Sequence, residues 1–182
     1  MRYVPSSGVL IDLGCGTGLL AHLVRLTSES PRIIGFDRDE WRLRVASSTM
    51  QGLSGIAFHR ADIASEGFSV PDAQCIACNN VLYQFDDSQK RALFKKCHRA
   101  LSPEGTLIIN DSRRSGHWKF LFSIAQDALA YKLLHGTMRK TFYFLTEAEW
   151  QGLLDETGFH AQRFDVSRGY CYPFILYVCK KK

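Results

Sequence analysis

Residues 9–20 read Val-Leu-Ile-Asp-Leu-Gly-Cys-Gly-Thr-Gly-Leu-Leu. Val9 to Leu13 is an apolar run broken once, by Asp12, as expected for a strand buried on both faces. Gly14, Gly16 and Gly18 follow at every second position. Such spacing lets the backbone turn sharply into a helix, predicted over Thr17 to Leu26, and lets a ligand approach the main chain closely. Leu19 stands where a dinucleotide fingerprint wants its last Gly or Ala, and no Lys-Ser/Thr pair follows, so this is not a Walker phosphate loop. Asp12, two residues before Gly14, would repel a pyrophosphate. It suits a cationic ligand.

Outward from this turn, short apolar runs alternate with helix-length amphipathic segments. Strands are predicted at Val9 to Leu13, Arg32 to Asp37, Ile56 to Arg60, Cys75 to Asn79 and Thr106 to Asn110. Helices are predicted from Asp39 to about Met50, from Asp86 to Leu101 and from Ser115 to about Leu134. Asp86 with Gln89, and Thr146 with Glu149, have the spacing of capping boxes, and Gly158 ends the helix that Thr146 opens. Two late β-rich runs, Gln162 to Ser167 and Phe174 to Cys179, are too close for a helical crossover, so they should form an antiparallel hairpin. The alternation predicts an α/β fold, a parallel sheet with helices on both faces. Ligands of such sheets sit at the carboxyl ends of the strands, where the strand order reverses.

Polar residues stand at those ends. Asp37 follows the second strand, 19 residues beyond Gly18, where a carboxylate can accept from both hydroxyls of a ribose. Asp62 follows the third strand, where an acid can accept from an exocyclic amine. Asn79 and Asn80 follow the fourth, and Asp111 the fifth. Together they point to a ligand with a ribose, an adenine-like base and a positively charged remainder held near Asp12.

These residues resemble those of class I S-adenosylmethionine-dependent methyltransferases, in the small-molecule, UbiE/UbiG-like branch. VLIDLGCGTGLL is similar to the family's first motif, and IIGFDRDE to its second strand. FHRADI, CNNVLYQFDD and HRALSPEGTLIIND are similar to the third, fourth and fifth, and LTEAEWQGLLDETGF to a late helix of the small-molecule branch. The resemblance runs from about Gly8 to Lys182. It implies a Rossmann-like three-layer sandwich, a seven-stranded, mostly parallel sheet with an antiparallel last strand. It implies S-adenosyl-L-methionine as cofactor, leaving as S-adenosyl-L-homocysteine. Asp12 and the loop Gly14, Cys15, Gly16, Thr17, Gly18 would hold the methionine part. Asp37 would hold the ribose with Arg38 beside the adenine. Asp62 and Ile63 would bracket the base, Asn79 and Asn80 would contact the amino group side, and Leu82 would line the pocket. The family's N-terminal helical cover has no counterpart in Met1 to Ser7, which implies an open site or a cover from elsewhere. Tyr83-Gln84 stands where the family commonly has His-His.

Composition narrows the classes. The chain has 182 residues, 46% hydrophobic and 23% charged, the balance of one globular domain with a buried core. No apolar run approaches the length needed to span a bilayer, and no signal-peptide pattern opens the chain, so a cytoplasmic protein is expected. The net charge is +5. Asp111 to Leu145 holds six Lys/Arg against two acids, +4, and Lys180 to Lys182 adds +3, leaving 5 − 4 − 3 = −2 for the remainder. The basic segment suits an anionic group on a substrate or a solvated face, and nucleic acid is not the expected partner. The six cysteines include a C-x-x-C at Cys75 and Cys78. It lies in an apolar strand with no second pair at zinc spacing, so reduced buried thiols and no metal are expected.

Methyl transfer from a sulfonium needs an acceptor held in line at about 3–3.5 Å and water excluded. A base is needed chiefly for a hydroxyl or carbon acid. The predicted acceptor wall is a helical insertion at about 112–145, apolar on more than one face, followed by Phe142, Tyr143 and Phe144. A second copy in a homodimer could cover that helix. Arg113, Arg114 or Arg139 could meet an acid group on the acceptor. Candidate bases are His117, Tyr83 and Tyr143. The expected activity is O- or N-methylation of a small-molecule acceptor. The alternatives are an RNA or protein methyltransferase, or a cofactor-binding relic without turnover.

Overall fold

A computed structural model describes residues 3–4, 6–29, 31–114, 142–169 and 173–182. Most of the predicted insertion, including His117 and Arg139, lies outside the described residues.

The first five strands are β1 (Val9–Leu13), β2 (Arg32–Asp37), β3 (Ile56–Arg60), β4 (Ala73–Asn79) and β5 (Leu101–Ser112), with β6 (Phe159–Asp165) and β7 (Phe174–Lys181) closing the chain. They form one seven-stranded sheet in the order β3-β2-β1-β4-β5-β7-β6. Pairings among β1 to β5 are parallel, and β7 runs antiparallel to both β5 and β6. The expected hairpin is present, with β7 inserted between β5 and β6. The order reverses between β1 and β4, so the crevice that such sheets use for ligands opens there.

Side chains alternate across the sheet, as the strand period requires. Leu10, Ile33, Cys75 and Ala77 point to one face and pack under Ala21 and Val24 of α1 (Leu19–Arg25). Ile11, Leu13, Ile76, Cys78, Leu107 and Ile109 point to the other. There they meet Leu93, Phe94 and Cys97 of α3 (Asp87–Ala100) and Trp150, Leu153 and Leu154 of α4 (Glu147–Glu156). The remaining helix, α2 (Glu40–Thr49), is capped by Asp39, whose side chain accepts from the N–H groups of Trp41 and Arg42. The capping boxes at Asp86/Gln89 and Thr146/Glu149 are both formed.

Several boundaries shift by two or three residues, β6 running Phe159–Asp165 rather than Gln162 to Ser167 among them, and two shifts have clear causes. α1 starts at Leu19 rather than Thr17, because Gly16 and Gly18 take φ of 54° and 80°; the left-handed backbone keeps Thr17 in the turn. β5 starts at Leu101 rather than Thr106: Ala73 pairs with Leu101 and Cys75 with Thr106, so the Pro103-x-Gly105 turn is absorbed as a bulge. Cys75, Cys78, Cys97, Cys15 and Cys179 are buried free thiols.

Candidate functional site

The glycine turn is stitched to the end of β2. The N–H groups of Gly14 and Cys15 both donate to the Phe36 carbonyl, at 2.8 and 3.0 Å. Gly16 N–H donates to Asp37 Oδ2 at 2.8 Å, and Asp39 N–H to Asp37 Oδ1 at 2.9 Å. Asp37 therefore fixes the loop through one oxygen and the start of α2 through the other. Gly14 has φ 78°, and a Cβ there would stand 2.6 Å from Val81 Cγ2, so only glycine fits between this turn and the start of the segment after β4.

A cavity of about 210 Å³ opens beside this turn. Gly14, Asp37, Arg38, Asp62, Ile63 and Asn80 line it, six of the residues singled out from sequence, together with Tyr83. Arg38 Nη2 reaches Gln84 Oε1 at 3.4 Å, spanning from the β2 end to the turn after β4. Asn80 has φ 50°, the one non-glycine residue with a positive φ among the described residues. Strain of this kind gathers at functional sites.

Asp12, in β1 two residues before Gly14, is 2% exposed and, like Gly16, does not itself line the cavity. No donor or cation among the described residues reaches its carboxylate. Burial first, and then the neighbouring charge of Asp37, push its pKa from 3.8 to about 7. A buried, unpartnered carboxylate beside a second one is a site prepared for a positive charge.

Other expected residues fall elsewhere. Cys15 and Gly18 are buried in packing, and Thr17 is exposed. Asn79 ends β4 outside the cavity lining. Leu82, expected to line the pocket, is instead 0% exposed and belongs to the core under α3. It is the first residue of a 3-10 turn, Leu82–Gln84, which points Leu82 inward and Tyr83 and Gln84 toward the cavity. Arg113 and Arg114, expected to be available to an acceptor's acid group, are paired with acids of the chain itself. Arg113 pairs with Glu147 at 3.3 Å and Asp165 at 2.9 Å, and Arg114 with Glu149 at 2.8 Å. Tyr143 is 40% exposed and does not line the cavity.

Sequence reasoning missed Asp39, Arg42, Ala61, Val81, Gln84 and Phe85 in the lining. All lie within a few residues of the ends of β2, β3 and β4, where strand-end placement alone could have found them.

The family model described as a methyltransferase domain matches residues 6–166. The chain belongs to the class I S-adenosylmethionine-dependent methyltransferases. A methyltransferase of Geobacillus sp. (strain WCH70) is 32% identical over 103 residues, covering 56% of this chain and 41% of the relative. The (R,S)-reticuline 7-O-methyltransferase of Papaver somniferum is 28% identical over 175 residues, 93% of this chain and 45% of the relative. The structure of the mitomycin 7-O-methyltransferase MmcR superposes with TM-score 0.75 at 18% identity, covering 97% of this chain and 49% of that one. The methyltransferase chain thus spans about half the length of these relatives.

The residues present fit the family's cofactor. The unpartnered Asp12 carboxylate suits its cationic end. Asp37 retains lone pairs for ribose hydroxyls, and Gly14 leaves room that a Cβ would close. Among the described residues no helix is long and apolar enough to cross a membrane, and no cluster of side chains could hold a metal ion.

Proposed function

We propose that this chain transfers a methyl group from S-adenosylmethionine to a hydroxyl of a planar small molecule. The observation that carries the proposal is the cavity whose one wall holds Asp37, Asp62 and Ile63 and whose other wall is Tyr83. Tyr83 is backed by aromatic rings: Phe144 stacks on it at 5.5 Å and 6°, and Phe142 lies at 5.6 Å. An aromatic wall of this kind favours a flat acceptor, each ring pair being worth about 0.5–1.5 kcal/mol beyond the area it buries. The relative that matches 93% of this chain, a reticuline 7-O-methyltransferase, supports oxygen as the methylated atom.

The cofactor supplies an electrophilic methyl on a sulfonium. The protein's share is placement and exclusion of water. Asp37 would accept from the ribose hydroxyls, Arg38 would pack beside the adenine, and Asp62 with Ile63 would bracket it. Asp12 would face the positive end, with the loop from Gly14 to Gly18 and the main chain at Asn79 and Asn80 around it. Tyr83 would form the partition between cofactor and acceptor. Residues 112–145 would complete the acceptor side, with His117, Tyr83 and Tyr143 as the candidate bases.

The test is methyl transfer from radiolabelled S-adenosylmethionine to a panel of phenols, catechols and amines, beside calorimetric titration with S-adenosylhomocysteine. Turnover of a catechol or phenol is the expected result. Micromolar product binding with no turnover on any member would leave a cofactor-binding protein. No binding would overturn the proposal altogether.

A further inference from the structure

Lys90 has no exposed side-chain surface, which is rare for lysine. It sits on the buried stripe of α3 with Leu93, Phe94, Cys97 and Ala100. Its Nζ donates to the Tyr143 carbonyl at 2.7 Å and lies 3.7 Å from Asp87, which is itself exposed. Asp111, at the end of β5, is 0% exposed. Its Oδ2 accepts from Tyr83 N–H at 3.0 Å and its Oδ1 from Ser112 N–H at 2.7 Å. Tyr143 N–H in turn donates to the Tyr83 carbonyl at 2.7 Å. Attraction between Lys90 and Asp111 partly offsets the burial of each.

These contacts form a chain: Lys90 holds Tyr143, Tyr143 holds Tyr83, and Asp111 holds Tyr83 from below. Every link ends on the backbone of a residue that carries the aromatic wall. A leucine at position 90 would complete an apolar stripe without the desolvation that a buried ammonium costs. A charge kept there fixes where a segment stands rather than how firmly the core packs.

We propose that Lys90 and Asp111 are positioning residues. They set the position of Tyr83, which lines the cofactor cavity, and of the 142–145 stretch that packs against it, and so the placement of the acceptor. The inference rests on the methyltransferase reading for its consequence, and on the contact chain for its geometry. Neither side chain lines the cofactor cavity, and of the backbone they hold only Tyr83 does, away from the acids of β2 and β3, so acceptor placement should suffer more than cofactor affinity in variants.

The experiment compares the full chain with Lys90→Met and Asp111→Asn by three readouts. Hydrogen exchange of the Tyr143 and Tyr83 amides should accelerate at least tenfold in both variants, with β1 and β4 unchanged. S-adenosylhomocysteine affinity should stay within about twofold of wild type, while KM for catechol rises at least tenfold and kcat changes less than threefold. Parallel loss of S-adenosylhomocysteine and catechol affinity, or unchanged exchange at Tyr143, would overturn the proposal. Should Lys90→Met fail to fold, the near-isosteric Asp111→Asn decides by the same readouts. If wild type methylates no catechol or phenol, the aromatic-acceptor reading fails, and the exchange rates with the S-adenosylhomocysteine affinity alone decide this one.

Discussion

Replacing Asp12 by asparagine should make the ligand-free protein more stable and its cofactor site weaker. Asp12 is buried with no partner, and its pKa rises from 3.8 to about 7. Between those values the folded state holds a proton that the unfolded state has released. Its contribution to stability is therefore fully present below pH 3.8 and is lost as pH rises through 7. Three pKa units correspond to about 4 kcal/mol once the group is fully ionised. The asparagine side chain carries no charge, so the variant escapes this loss. From the same two pKa values, the stability difference between Asp12→Asn and wild type should grow by about 2–3 kcal/mol between pH 5 and pH 8. In a chain of this size that is a relative gain of roughly 5–10 °C in Tm. Thermal unfolding of both proteins at the two pH values reads it directly, since the shifts of groups not coupled to Asp12 cancel in the difference, and of its coupled neighbours the thiols Cys15, Cys75 and Cys78 stay protonated at both pH values. Calorimetry at pH 8 should show at least tenfold weaker S-adenosylhomocysteine binding by the variant, the loss of a charge-assisted contact to its amino group. A stability difference that does not grow with pH, or a variant that binds as well as wild type, would refute the assignment of Asp12 as a carboxylate held ready for a cation.

Other substitutions test other parts of the account. Gly14→Ala places a Cβ 2.6 Å from Val81 in a left-handed backbone, and should cost about 1–3 kcal/mol of stability with loss of S-adenosylhomocysteine binding; urea unfolding and calorimetry check both. Thr146→Ala removes the side-chain half of a formed capping box, and should lower stability by about 1 kcal/mol while leaving cofactor affinity unchanged. Arg114→Ala breaks an exposed pair with Glu149, and should change stability by less than about 1 kcal/mol. It should not alter KM for an acidic phenol, whereas a rise in that KM would restore Arg114 to acceptor recognition.

Much of this architecture was legible because local chemistry and tertiary structure agree in it. The capping boxes opened by Asp86 and Thr146 act within three residues of themselves, and the glycine turn after β1 and the acids closing β2 and β3 stand where the strand ends put them. The misread features depend on distant partners. The bulge that merges Pro103 into β5 exists because Ala73 offers a pairing partner to Leu101. The inward turn of Leu82 depends on Asp111, 29 residues away in sequence, whose carboxylate accepts from the backbone of the 3-10 turn. Arg113 and Arg114 look like a basic patch until the acids of α4 and β6 are folded against them. Lys90 left a trace that went unread: it sits three and four residues before Leu93 and Phe94, on the apolar stripe of α3, where a solvated lysine has no reason to be.

The central claim is that the crevice between β1, β2 and β4 is an S-adenosylmethionine site anchored by Asp37. Calorimetric titration of S-adenosylhomocysteine into wild type and Asp37→Ala tests it most directly. Asp37 would bind two ribose hydroxyls and also holds the Gly16 and Asp39 amides, so its removal should cost at least about 1.5–3 kcal/mol, roughly 10- to 150-fold in affinity. The account predicts micromolar binding to wild type and loss by that factor or more in the variant. Wild type that does not bind, or a variant that binds as tightly as wild type, would contradict it.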